Sequence, residues 1–524
     1  MEEKQPRIFS DFQKKRQEFV PVYPASLDIQ SNLVIKKEDF GVKDEIKPLF
    51  KTLLGDSGMP YVELTVDESN GKSLKTQEPL RIGCVLSGGQ APGGHNVISG
   101  LYDMVKSLHP DSKLYGFLKG PIGIITGKYV EITEDFMNEY RNMGGFDMIR
   151  SGRDKIESPE QFESSIKFCN ELGLNGLVVI GGDDSNTNAC LLAEYFNAHD
   201  SPCKVIGAPK TIDGDLKNKY CEVSFGFDTA TKTYSEQIGN IIVDTRSTKK
   251  YYHFIRLMGR SASHIALECY LQTRADLVLI GEEIFQKNKT LKEVTNEIVD
   301  VILKRAEMGK DYGVFLIPEG IIEFFPEMKP LISQINDLFG EDNLIEDPRA
   351  YVLSKLTPEN KTLFEFLPKA IADQLLFDRD AHGNVPVSKI ETEILMILLC
   401  QKELRERTAK GEYKGKFQPQ SHFFGYEGRC ALPSNFDAQY CYAIGRTAAS
   451  LISLNYSGYM AINKNLEDKN PKNWIAAGCP LPTMMGLERR KGKDKPVITK
   501  FVVELDGDMY KAYLQFKDRW SLYD

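Results

Sequence analysis

Three short apolar segments each run straight into a loop of glycines, carboxylates or lysine: RIGCVLSGGQAPGGHN (Arg81 to Asn96), GLVVIGGDDSN (Gly176 to Asn186) and KVIGAPKTIDGD (Lys204 to Asp215). Apolar runs of this length, each followed by helical text, are the punctuation of α/β folds, because strands buried on both faces read as continuous hydrophobic stretches. In a doubly wound parallel sheet the loops after the strands gather at the carboxyl edge, where ligands bind. Function is therefore expected at these three loops. A second block of the same style, Tyr251 to Leu279 and Gly313 to Gly320, predicts another parallel sheet.

With 524 residues, the chain is long enough for about three domains. Residues 1–80 are polar with isolated apolar patches and are read as an N-terminal extension. Residues 81–235, with 425–500 returning, form one expected lobe. Residues 236–424 form the other, including a helical insertion over about 324–416 where ETEILMILLCQKELRERTAKG is rich in helix formers. Residues 501–524 are read as a C-terminal tail. The expected fold is α/β, with two facing Rossmann-like parallel-sheet lobes.

Several function classes are excluded on composition. An apolar fraction of 41% and a charged fraction of 27% are globular values, and a net charge of −8 gives no general basic field for nucleic acid or an anionic membrane. The start of the chain, MEEKQPRIFSDFQKKRQEF, is charged throughout, without the apolar core of an export signal. The longest apolar run, Ile394 to Cys400, falls far short of the roughly 20 residues of a membrane helix, and Ser388 with Glu391 is expected to form a capping box ahead of it. Ten cysteines without a CxxC pair or zinc-site spacing fit reduced thiols in a cytoplasmic protein.

Taken singly, each loop has two readings. Gly88, Gly89, Gly93 and Gly94 suit backbone amides closing on an anion at a helix N-terminus, or merely a tight turn; the pattern is neither GxGxxG nor GxxxxGK[ST]. Adjacent carboxylates Asp183 and Asp184 suit a cation site, or a solvated turn in which Asp or Ser caps the next helix. Lys210, Thr211, Asp213 and Asp215 suit a phosphate contact beside a base, or a surface Asp-Gly turn. Together they supply what phosphoryl transfer asks for: a positioned hydroxyl, a carboxylate for its proton and cations on the transferring oxygens.

These motifs in this order, with Met258-Gly259-Arg260, Pro318-Glu319-Gly320 and Tyr426-Glu427-Gly428-Arg429 further on, resemble the phosphofructokinase family from about Arg81 to beyond Arg429. GGDDS in place of GGDGS, lysine before TID and GYEGR in place of GHIQR point to its long, pyrophosphate-dependent branch. The resemblance implies a homodimer with shared active sites, magnesium as cofactor, and pyrophosphate and fructose 6-phosphate as substrates. By resemblance Asp213 is the base for the sugar 1-hydroxyl, with Thr211 and Ile212 beside it. Asp183 holds the magnesium, Gly88 and Gly89 offer amides to pyrophosphate, and Arg153 spans donor and acceptor. Met258, Gly259, Arg260 and Glu319 line the sugar site, Tyr426, Glu427, Gly428 and Arg429 reach its phosphate, and Lys250 and Tyr251 serve a neighbouring subunit.

Asp184 and Lys210 are the expected donor selectors. Asp184 puts a carboxylate where a glycine would leave room for a nucleotide α-phosphate, and two like charges about 4 Å apart at an effective dielectric near 20 repel by up to about 4 kcal/mol. Lys210 stands where ATP users often carry glycine. An ATP-dependent phosphofructokinase differs at this donor loop, a non-catalytic regulatory subunit would be expected to lose Asp213, and a Rossmann oxidoreductase lacks its fingerprint here.

Overall fold

The computed structural model describes residues 9–523 except 40, 68–70, 72, 340–346, 380–384 and 491–492. The chain divides into two units, Met1–Ala230 with Gly428–Phe501, and Thr231–Glu427 with Val502–Asp524.

An eleven-stranded mixed sheet organises the first unit. Its main path runs Leu33–Glu38, Tyr61–Val66, Ile475–Pro480, Tyr459–Lys464, Lys204–Thr211, Gly176–Gly181, Arg81–Ser87, Lys113–Phe117, Tyr129–Ile132. The five strands from Tyr459–Lys464 to Lys113–Phe117 are parallel, with antiparallel strands on both sides. Every residue of Gly176–Gly181 is buried, as a central parallel strand requires. Residues 33–38 and 61–66 thus extend the same sheet, held by Tyr61, Val62 and Leu64, all buried. Short strands Ser151–Gly152 and Phe225–Gly226 pair with the carboxyl ends of Arg81–Ser87 and Lys204–Thr211.

The helix Gly94–Leu108, which starts at the glycine loop, crosses the helix Asn435–Ser453 backbone to backbone. A Cβ at Gly100 would overlap the carbonyl of Tyr442, and one at Gly445 the carbonyl of Val97. Because neither carbonyl is the end of a flexible side chain, the helices would have to separate. Gly100→Ala and Gly445→Ala are each expected to destabilise by on the order of 2 kcal/mol through this overpacking, seen as a fall in thermal midpoint; an unchanged midpoint would show that the helices can part freely.

The second unit holds a four-stranded parallel sheet in the order Leu277–Val278, Gly313–Pro318, Tyr252–Leu257, Pro419–Phe424. Between the second and fourth of these lie the helices Met328–Phe339, Pro348–Lys355, Pro358–Phe366, Lys369–Phe377 and Thr392–Ala409. Leu331, Ile335, Phe364, Leu375 and Met396 join strand residues Phe254 and Phe315 in one core. The expected capping box would start the helix at residue 389. The last of these helices begins at Thr392 with Glu391 at its N-cap and no side-chain cap bond, three residues later than the box requires; the side chain of Ser388 lies outside the described residues. Its acidic residue works elsewhere, since buried Glu393 pairs with Arg256 of the central strand at 2.9 Å and Arg256 also donates to the Ile390 carbonyl. Residues 508–522 form a helix with Tyr513 and Trp520 buried. Among the described residues no helix is long and apolar enough to cross a membrane.

Candidate active site

Pairing of Ser87 with Gly152, Leu86 with Ile180 and Gly181 with Pro209 brings four strands of the first unit to a common carboxyl edge. The loops after them carry the candidate residues. Gly88 turns the chain with φ +84° and donates its N–H to the Gly152 carbonyl at 2.8 Å, so that amide is already engaged and phosphate must be met by those that follow. A Cβ at Gly88 would stand 3.5 Å from Lys210 Nζ, and the left-handed backbone disfavours any side chain there.

Cations collect around this glycine turn. Lys210 is buried and donates to the Gly89 carbonyl at 2.7 Å. The guanidinium of Arg429 lies directly against Gly89, with that of Arg153 just beyond, and Arg429 Nε donates to the Gln90 carbonyl at 3.3 Å. Burial first, and the charge of Arg429 second, push the Lys210 ammonium down to about 8, while Asp213, Asp183 and Asp215 pull the other way.

Carboxylates occupy the neighbouring loops. Asp183 and Asp184 open the helix Asp183–Ala198, whose N-cap is Gly182 without a side-chain bond, so neither they nor Ser185 caps it; Ser185 instead donates to Ser87 at 2.8 Å. The helix N-terminus favours both negative charges. Asp184 is exposed and pairs with Lys155 at 3.2 Å. Asp183 and Asp215 share Lys500, at 3.7 and 3.8 Å. Burial and then Asp213 push the Asp215 carboxyl up to about 7, against Lys500. The TID segment is pinned: the Asp213 N–H donates to Thr211 Oγ1 at 3.0 Å, Ser224 Oγ donates to the Thr211 carbonyl at 3.0 Å, and Ile212 is buried. Asp213 itself is half-buried. Such an edge can receive a polyanion against the glycine turn and offer it a carboxylate base. Among the described residues no three His, Cys, Asp or Glu side chains form a metal-holding group.

The second unit has its own carboxyl edge. Met258, Gly259 and Arg260 follow Tyr252–Leu257, and Glu319 and Gly320 follow Gly313–Pro318. The Glu319 N–H donates to the Leu257 carbonyl (2.8 Å), Gly320 to Gly259 (3.4 Å) and Met258 to Phe424 (3.3 Å), which locks the three loop starts together. Tyr426 and Glu427 are exposed at the start of the helix Tyr426–Cys430, along which the chain passes from the second unit to the first, so Gly428 and Arg429 belong with the glycine turn. Lys250 and Tyr251 are not brought to this edge. They precede the same strand, roughly 20 Å from Met258 at about 3.3 Å per residue.

Sequence reasoning missed Lys155 and Lys500. Lys155 carried a weak signal, two positions beyond Arg153; Lys500 had none, being far in sequence from both carboxylates it meets.

A family profile described as Phosphofructokinase matches residues 81–363. The chain is 53% identical over 482 residues to pyrophosphate–fructose 6-phosphate 1-phosphotransferase subunit beta of Solanum tuberosum, covering 92% of this chain and 83% of that one. It is 49% identical over 515 residues to pyrophosphate–fructose 6-phosphate 1-phosphotransferase of Porphyromonas gingivalis, covering 97% and 92%. A solved pyrophosphate-dependent phosphofructokinase from Nitrosospira multiformis superposes with a TM-score of 0.57 at 14% identity, covering 83% and 91%, a likeness of fold.

Proposed function

The chain belongs to the phosphofructokinase family, and from that premise we propose that it transfers a phosphoryl group from inorganic pyrophosphate to the 1-hydroxyl of fructose 6-phosphate, reversibly, giving fructose 1,6-bisphosphate and phosphate in glycolysis. The observation that carries the donor half is the buried Lys210 ammonium beside Gly88 and Gly89, with Arg153 and Arg429 against the same turn. A fixed, buried cation suits a compact polyanion that brings no adenine to hold on to.

In this reading the first unit binds the donor. Lys210 and Arg429 neutralise phosphate oxygens, Arg153 stabilises charge on the transferring group, and Asp213 accepts the hydroxyl proton while Thr211 and Ile212 position the sugar carbon. Met258, Gly259, Arg260, Glu319, Tyr426 and Glu427 recognise the sugar phosphate. Lys250 and Tyr251, at the opposite edge of their strand, serve a second copy of the chain in a homodimer, which light scattering would report. The residues present fit magnesium. Asp183, Asp213 and Asp215 crowd one edge with enough negative charge to lift Asp215, and a hard cation that keeps its waters needs only one or two carboxylates plus substrate oxygens. Asp183 would hold it, and bound there it would supply positive charge to the transferring phosphate.

Asp184 restricts the donor less strongly than its charge alone implies. Exposure and the ion pair with Lys155 bring its electrostatic share toward the water value, about 1 kcal/mol at 4 Å, leaving a steric share. Asp184→Gly is therefore expected to raise kcat/KM with ATP by only about tenfold, with pyrophosphate still preferred because Lys210 remains. Steady-state assays of wild type and variant with each donor test both points, and a wild type that prefers ATP overturns the donor assignment. Loss of all turnover with either donor would favour the regulatory-subunit reading, against which Asp213 and its pinned loop now stand.

A further inference from the structure

Arg16 stands near the end of the short helix Asp11–Gln17, which a capping box of Ser10 and Gln13 starts. Its guanidinium forks onto the loop that follows Arg429: Nη1 donates to Asn435 Oδ1 at 2.7 Å and Nη2 to the Pro433 carbonyl. Its own carbonyl accepts from Asn142 Nδ2 at 3.2 Å, and the same amide donates to the Phe19 carbonyl at 2.7 Å. Asn142 is buried at φ +56°, with its Oδ1 taken at 2.7 Å by Asn96 of the helix Gly94–Leu108. One residue thus joins two loops of the first unit. The loop from Asn142 onward leads to Arg153, the other begins at Arg429, and both guanidiniums reach the glycine turn at Gly89. The loops touch at Gly144, where a Cβ would overlap the Ala431 carbonyl, and part around an open cavity of about 460 Å³ lined by Gln90, Phe146, Asp147, Arg150 and Cys430. Atoms facing a gap lack the contacts that fix a separation, so bonds that span the loops must help to set it. Further ties of the second loop run elsewhere: Ser434 Oγ donates to Asp228 at 2.5 Å, the Ser434 N–H to Thr229 Oγ1 at 3.0 Å, and Cys430 Sγ to Gln90 at 3.0 Å.

We propose that Arg16 is a positioning residue of the donor site: by clamping the loop at 433–435 to the loop at Asn142 it holds Arg429 and Arg153 at the glycine turn, so that pyrophosphate meets both guanidiniums already in place. This rests on the donor reading given above. Arg16 is assigned no contact with substrate. Its contribution is preorganisation, since a long side chain rooted in a fixed backbone has less freedom left to lose when it closes on a phosphate. Arginine suits the task because its planar fork meets the Pro433 and Asn435 oxygens together, in a geometry that the single ammonium of a lysine does not hold. An Arg16 that only glued the amino-terminal segment to the body would affect stability and leave ligand affinity alone.

A double-mutant cycle read by binding rather than turnover separates the two roles. Full-length wild type, Arg16→Met, Arg429→Met and the double variant are titrated with pyrophosphate by calorimetry in the presence of Mg2+. Arg16→Met is expected to weaken binding about tenfold when Arg429 is present and less than about threefold when Arg429 is already gone, the remainder passing through Arg153. Its fructose 6-phosphate KM should stay within about twofold of wild type. Asn435→Ala, which removes one acceptor of the same fork, is expected to weaken pyrophosphate binding about threefold, and it replaces Arg16→Met in the cycle if that variant does not fold. Unchanged pyrophosphate affinity, an equal loss with and without Arg429, or a fall in thermal midpoint alone overturns the proposal. A wild type that binds ATP and not pyrophosphate overturns the donor reading instead, and the same cycle run with ATP still judges whether Arg16 places Arg429.

Discussion

Asp213→Ala is expected to lower kcat about a thousandfold while both KM values move less than about threefold. Removing a positioned general base costs roughly 10²–10⁴ in rate, or about 4 kcal/mol for a thousandfold, and the loss falls on kcat because only the transition state needs the proton accepted. The surroundings support a base rather than a structural carboxylate. Asp213 follows a turn closed by its own N–H on Thr211 Oγ1, and the segment before it is tied down through Ser224. Asp215, two positions on, is the carboxylate that burial drives up to about 7, and Asp213 adds to that rise. The substitution therefore lets Asp215 ionise more readily. Asp213→Ser, which keeps a small polar group, is expected to be as impaired. Near-normal turnover in either variant removes Asp213 from its role.

Lys210→Met should lower kcat/KM for pyrophosphate on the order of a thousandfold. An ammonium about 4 Å from a phosphate charge at an effective dielectric near 20 contributes up to about 4 kcal/mol, and the variant also leaves the Gly89 carbonyl without its donor. The wild-type pH profile carries the same signature. Because burial and Arg429 hold Lys210 down to about 8, its charge is present below that pH and is lost as pH rises through it, so kcat/KM for pyrophosphate should fall from about pH 8 upward. An ordinary lysine would show that loss only above pH 10. Stability moves oppositely: the unfolded chain keeps Lys210 protonated to its model value of 10.5, so burial of the ammonium opposes folding below about 8, and the penalty fades between the two values. A flat profile to pH 9.5, or one whose descending limb persists in Lys210→Met, sinks the assignment.

What could be read from the sequence was local. A strand and the loop that ends it lie within about 12 residues, so the glycine turn, GGDDS and PKTIDGD all announced themselves, and parallel pairing put them on one edge. The start of the helix Thr392–Ala409 was misplaced because Ser388 and Glu391 have the spacing of a capping box, a pattern that says nothing of Arg256, whose pairing with Glu393 helps fix where the helix sits. Nothing local marks Gly100 and Gly445, whose need for glycine comes only from the crossing of their two helices. Asp184 read as a bare charge because Lys155 belongs to another loop. In each case the deciding partner is distant in sequence, and no short pattern encodes it.

The route of the chain through the first unit has a consequence for synthesis. Its central parallel sheet needs the strand Tyr459–Lys464, and the glycine-turn helix needs its partner Asn435–Ser453, both from the segment that returns after Glu427. Roughly 270 residues separate Ala230 from Phe501, on the order of 15–50 s of translation at about 5–20 residues per second. Until the segment 435–464 is made, the nascent first unit exposes the edge of a parallel strand and a helix face with nothing to cover them. A ribosome-bound chain ending near residue 420 should therefore recruit chaperones through its amino-terminal half, which still lacks the strand Tyr459–Lys464 and the helix Asn435–Ser453.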